Sequence, residues 1–122
     1  MILADTSIWV DHLRHGDALM EVMLDAGQIV AHPFVIGEIA LGYMPKRAET
    51  LQGLGELPAL PIVSSDEVLY FIEKQQLIAT GIGYVDTHLL ASLVLTGDCR
   101  LWTRDKRLAA IAERLGVTAG LD

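Results

Sequence analysis

At 122 residues, of which 52% are hydrophobic and 20% charged, the chain is long enough for one domain with a real core, spanning 1–122, and too short for a second. A single cysteine, Cys99, excludes a disulfide framework and a thiolate metal cluster. No apolar run approaches the ~20 residues of a membrane span, and the N-terminus lacks the charged-then-apolar layout of a signal peptide, so the expected location is the cytoplasm, with no membrane partner.

The net charge of −7 and pI of about 4.9 argue against a general nucleic-acid coat protein, which neutralises phosphates with a basic surface. Five of the nine basic residues, however, are Arg100, Arg104, Lys106, Arg107 and Arg114, and Lys46 with Arg47 forms a second pair. A basic rim around an acidic centre is compatible with that distribution. The mean hydropathy of +0.39 hints at an oligomer or a partner.

Ile2-Leu3-Ala4 is an apolar run too short for a helix and reads as a strand buried on both faces. It ends in Asp5-Thr6-Ser7, where Thr6 or Ser7 is expected to cap a helix and Asp5 to face the carboxyl edge of a parallel sheet. Helix-period apolar residues follow over Ile8–Leu13 and Ala18–Ala26, broken at Gly16-Asp17 and stopped by Gly27. Gln28–Ala31 reads as a second strand, and His32-Pro33 opens a helix to about Gly42 or Tyr43. A weaker helix over Ala48–Leu57 leads to a third strand around Leu60–Val63, bracketed by Pro58 and Pro61.

Ser64 with Glu67 forms a capping box that starts a helix to about Thr80. After Gly81-Ile82-Gly83 comes the most apolar helix, Tyr84–Thr96, expected to lie on the sheet. Arg100–Thr103 is a fourth strand, Asp105–Leu115 a helix and Val117–Ala119 a short edge strand. Alternating strands and helices imply a three-layer α/β/α fold with a mainly parallel sheet of four to five strands.

On that frame Asp5, Glu38, Asp86 and Asp105 all fall toward one edge. Two unit charges 4 Å apart repel by about 4 kcal/mol at an effective dielectric of 20, so such a cluster must hold protons or a hard cation. Oxygen ligands point to Mg²⁺ or Mn²⁺, and a cation at a sheet edge suits phosphoryl chemistry. Each acid has a bland alternative: Asp5 and Asp105 as simple caps, Glu38 in a salt bridge to Arg47. Trp9 and Trp102 are expected to fill core. His12 and His15, at i and i+3, lack a third ligand for a zinc set.

Asp5-Thr6-Ser7-Ile8-Trp9, the isolated Glu38, Gly81-Ile82-Gly83-Tyr84-Val85-Asp86 and Leu101-Trp102-Thr103-Arg104-Asp105 resemble, in order, the four acidic motifs of PIN-domain ribonucleases, most closely the VapC-type toxins of toxin–antitoxin pairs. The resemblance implies a Mg²⁺- or Mn²⁺-dependent endoribonuclease acting on a tRNA, rRNA or mRNA loop. Asp5, Asp86 and Asp105 would be metal ligands, with Glu38 supporting the metal and the attacking water and Ser7 and Thr103 orienting carboxylates. It also implies a VapB-like antitoxin that inserts a basic arm, and a homodimer. His88 has no assigned role. The basic residues beside the motifs, Arg104 and Lys106 with Lys46 and Arg47, are candidates for RNA-phosphate contact. Receiver-like and haloacid-dehalogenase-like phosphoryl domains, or a non-catalytic module on the PIN fold, are the competing readings; Ser64-Ser65 after the third strand and Ser7 after Asp5 lack the acids the first two require.

Overall fold

The structure, a computed structural model, describes residues 1–121. The elements run β1 (Ile2–Ala4), α1 (Thr6–His15), α2 (Ala18–Asp25), β2 (Ile29–Val30), α3 (Pro33–Leu41), α4 (Arg47–Glu56), α5 (Ser65–Lys74), α6 (Tyr84–Thr96), β3 (Arg100–Trp102) and α7 (Lys106–Arg114). The sheet order is β2-β1-β3, entirely parallel, with Ile2 opposite both Ile29 and Arg100 and Ala4 opposite Trp102. Central β1 is therefore paired on both sides, which explains why its three residues are apolar without alternation. Helices enclose this sheet in a three-layer α/β/α arrangement.

The expected third strand and edge strand contract to isolated parallel bridges, Ala31 to Ala59 and Leu101 to Thr118, so the sheet has three strands rather than four or five among the described residues. Pro58 and Pro61 remove ladder donors on one side. On the other, Gly116 and Gly120 turn the chain away with φ of 74° and 71°. Two helices also differ from expectation. The first cap is Asp5 itself, not Thr6 or Ser7. Helix α5 stops at Lys74, short of Thr80, because Gln76 and Ala79 adopt φ of 55° and 60° and no α-helix passes through such residues.

One continuous core joins Leu3 and Ala4 of β1 to Ile8 and Trp9 of α1, Leu89, Leu90 and Leu93 of α6, Leu101 and Trp102 of β3 and Leu108 of α7. Each fully buried aliphatic side chain here contributes about 1.5–3 kcal/mol relative to exposure. That packing fixes the carboxyl ends of β1 and β3 side by side, where Asp5 and Asp105 follow. Among the described residues no helix is long and apolar enough to cross a membrane.

Candidate active site

Asp5 leaves β1 and caps α1. Its backbone N–H donates to the Trp102 carbonyl at 3.0 Å, continuing the β1–β3 ladder by one residue, and its Oδ1 accepts from the Ile8 N–H at 3.2 Å. The side chain is buried, so its remaining lone pairs need donors. Two hydroxyls supply them: Ser7 Oγ donates to Oδ1 at 2.5 Å and Thr103 Oγ1 donates to Oδ2. Each hydroxyl in turn accepts a backbone N–H from the β3–α7 junction, Ser7 from Arg104 at 3.2 Å and Thr103 from Asp105 at 3.0 Å. Both hydroxyl hydrogens are thereby directed at one carboxylate. Asp105 repeats the arrangement of Asp5, capping α7 through Leu108 N–H to Oδ1 at 3.0 Å.

Asp86 lies in the first turn of α6, whose N-cap, Gly83, offers no side chain. Burial raises its carboxyl from 3.8 to about 6, with further contributions from the negative charges of Asp5, Asp105 and Glu38. All three other acids predicted from the sequence thus act on Asp86, and every charge contributing to the rise is negative. Glu38 is held by Thr6, whose Oγ1 donates to Oε1 at 2.7 Å. The salt bridge from Arg47 to Glu38 does not form, since the Arg47 guanidinium donates instead to the carbonyls of Gly42, at 3.0 Å, and Ala40 at the end of α3. Thr6 was missed in the sequence, where its only signal was its place directly after Asp5.

Among the described residues no group of three or more carboxylate, histidine or cysteine side chains stands close enough together to hold a metal ion between them. Mg²⁺ does not need one: it dehydrates reluctantly and is commonly held by one or two carboxylates and several waters. The donors here are oxygens alone, and a neighbour cluster that raises Asp86 gains most from a cation. The donor chemistry, oxygen alone, is that of a hard divalent ion.

The model of the PIN domain matches residues 2–114. The chain belongs to the PIN domain family. It is also 45% identical over 117 residues, 96% of this chain and 94% of the relative, to "Ribonuclease VapC32" from each of two strains of Mycobacterium tuberculosis. Membership sets aside the receiver-like and haloacid-dehalogenase-like readings.

Within this PIN domain the basic candidates divide. Arg104 is engaged internally, bonded through Nη1 to Asp11 at 2.7 Å and through Nη2 to Asp17 at 2.6 Å, with its guanidinium 5.7 Å from the Trp102 ring centroid. It braces the β3–α7 junction against α1 and α2. Arg47 is likewise committed to the end of α3, whereas Lys46 and Lys106 are exposed and their ammonium groups have no hydrogen-bond or ion-pair partner among the described residues. His88, buried two residues after Asp86 on α6, packs edge-on between Phe34 and Tyr84 at 4.8 and 4.7 Å. Trp9 and Trp102 are core residues. His32 caps α3 by accepting the Phe34 N–H at Nδ1, which leaves Nε2 to donate to Ser92 Oγ at 3.0 Å; Ser92 donates onward to the Pro61 carbonyl at 2.7 Å.

Proposed function

We propose that this PIN domain is a Mg²⁺- or Mn²⁺-dependent endoribonuclease, the toxin of a VapBC-type pair, acting in the cytoplasm. The observation that carries the reading is the action of Asp5, Glu38 and Asp105 on Asp86 at the carboxyl edge of the sheet. The likeness to a protein named a ribonuclease supports it.

Asp5, Asp86 and Asp105 would hold the ion directly or through water, and Glu38 would support it. When bound, the ion lowers the pKa of a water and offsets charge on the phosphate. Ser7 and Thr103 keep the Asp5 carboxylate in one orientation by donating to both of its oxygens, so no reorganisation is needed as charge develops. Glu38, steadied by Thr6, would accept a proton from the attacking water. Attack at phosphorus expels the ribose 3′ oxygen, which takes up a proton, leaving a 5′-phosphate and a 3′-hydroxyl. Lys46 and Lys106 would meet RNA phosphates.

An acidic site tuned to a cation also accepts a guanidinium or ammonium, which supports inhibition by a VapB-like antitoxin that inserts a basic arm. Exposed Leu69, Tyr70 and Leu95, on α5 and α6, are compatible with a homodimer.

The test is cleavage of RNA by purified protein freed of any antitoxin. Product is expected with Mg²⁺ or Mn²⁺ and none with chelator, and Asp5→Asn and Asp86→Asn should each abolish cutting while circular dichroism stays native. Undiminished cutting by those variants would refute the site.

A further inference from the structure

Helix α3 carries Glu38, helix α6 carries Asp86, and the two helices meet along one seam. Tyr84, His88 and Ser92 follow one another at intervals of four on α6, so they form a single stripe. The first turn of α3 lies against it. Phe34 meets His88 edge-on with ring centroids 4.8 Å apart, Tyr84 meets His88 at 4.7 Å, and the N-cap of α3, His32, bonds through Nε2 to Ser92 Oγ at 3.0 Å. Phe34 and Glu38 are also four residues apart, which puts Glu38 about 6 Å further along the same stripe of α3. His88 is the residue at the centre of the seam, and hydrogen bonding does not account for it. It is 3% exposed, and its Nδ1 is buried with no partner among the described residues. An unpaired ring nitrogen in the interior is unfavourable, so what this side chain contributes lies in its contacts with Phe34 and Tyr84.

We propose that His88 is a positioning residue for the acid site: held against Phe34, its ring sets the separation of α3 from α6 and with it the distance between Glu38 and Asp86. The inference rests on the reading of these acids as a metal site and adds a residue to it. Asp86 precedes His88 by two residues and Glu38 follows Phe34 by four, so each acid is within about one helical turn of the contact that joins their helices. The two carboxylates are near enough to interact, because the Glu38 charge contributes to the rise in Asp86. Thr6 holds the Glu38 side chain from α1, and the seam holds the backbone of α3 from α6. A ring packed edge-on between two others leaves a void when it is truncated, and the elements lining a void shift to fill part of it. Metal affinity registers such shifts, since groups that only orient ligands change it by about ten- to a hundredfold.

The experiment reads Mn²⁺ affinity by electron paramagnetic resonance, beside the melting temperature of the same metal-stripped samples. His88→Ala should weaken Mn²⁺ binding about tenfold, and Phe34→Ala, which opens the same contact from a half-buried side chain, should do so by a similar factor. His88→Phe, which keeps an aromatic ring in the seam, should stay within about threefold of the parent. The effect should pass through Glu38, so that in a Glu38→Gln background His88→Ala costs less than about twofold more. A purely structural role lowers the melting temperature of His88→Ala and Phe34→Ala and leaves Mn²⁺ affinity unchanged, and that result overturns the proposal. So does a His88→Phe variant as weak as His88→Ala, or an undiminished loss when Glu38 is already replaced. If His88→Ala does not fold, Phe34→Ala and its combination with Glu38→Gln decide the matter by the same criteria. A parent that takes up no Mn²⁺ refutes the metal site itself, and the role of the seam with it.

Discussion

Replacing Asp86 with Asn should stabilise the metal-free protein while destroying its activity. The Asp86 carboxyl is raised from 3.8 to about 6 by burial and by Asp5, Asp105 and Glu38, and each tenfold in acidity is worth about 1.4 kcal/mol. The full penalty is about 3 kcal/mol, which partial solvent exposure trims to about 2 kcal/mol. The sign follows from comparing the folded and unfolded chains. Well below pH 3.8 the group is protonated in both, and the substitution should be neutral. Between 3.8 and about 6 the folded carboxyl keeps a proton that the unfolded chain releases, so stability falls as pH rises. Above about 6 both are ionised and the folded state carries the whole cost. Thermal melts of chelator-treated parent and variant across this range should diverge with rising pH and then run parallel, Asp86→Asn melting roughly 6–10 °C higher. Added Mg²⁺ should raise the melting temperature of the parent and leave the variant nearly unchanged. A variant no more stable than the parent above pH 6, or a difference that does not vary with pH, would refute the crowding of charge around Asp86.

His32 titrates in the opposite sense. Burial, with a smaller contribution from His88, lowers it from 6.5 to about 4, so stability should fall by up to about 3 kcal/mol as pH drops through that window, and His32→Asn should flatten the acid limb of the melting curve. Thr103→Val, which removes one of two hydroxyl donors to Asp5, should lower kcat at least tenfold with KM nearly unchanged, and Thr103→Ser should restore most of it in steady-state cleavage assays. Arg104→Ala, losing its bonds to Asp11 and Asp17, should cost about 1 kcal/mol in urea unfolding, an effect that shrinks with added salt.

The parts of this molecule that were legible in its sequence are those written in consecutive residues. Ile2-Leu3-Ala4 followed by Asp5, and Leu101-Trp102 followed by Thr103 and Asp105, are strand-to-helix junctions whose apolar run, acid and cap occupy adjacent positions. Placing them at one sheet edge needed only parallel topology. What escaped notice depends on long separations. Arg104 looked free for RNA because its partners Asp11 and Asp17 are 93 and 87 residues away, and Thr6 looked like a cap because Glu38 lies 32 residues on. The extra strands were overread for a different reason: Leu60–Val63 and Val117–Ala119 have the β-branched content of strands, but the flanking prolines and glycines leave room for one bridge each. Helix α5 was overread because periodicity continues past Lys74 while the backbone turns at Gln76.

The cation site itself is tested most directly by titrating Mn²⁺ into metal-stripped protein and counting the free ion by electron paramagnetic resonance. The parent should draw Mn²⁺ out of solution and Asp86→Asn should not. Equal uptake by the two, or none by the parent, would show that these carboxylates do not form a metal centre.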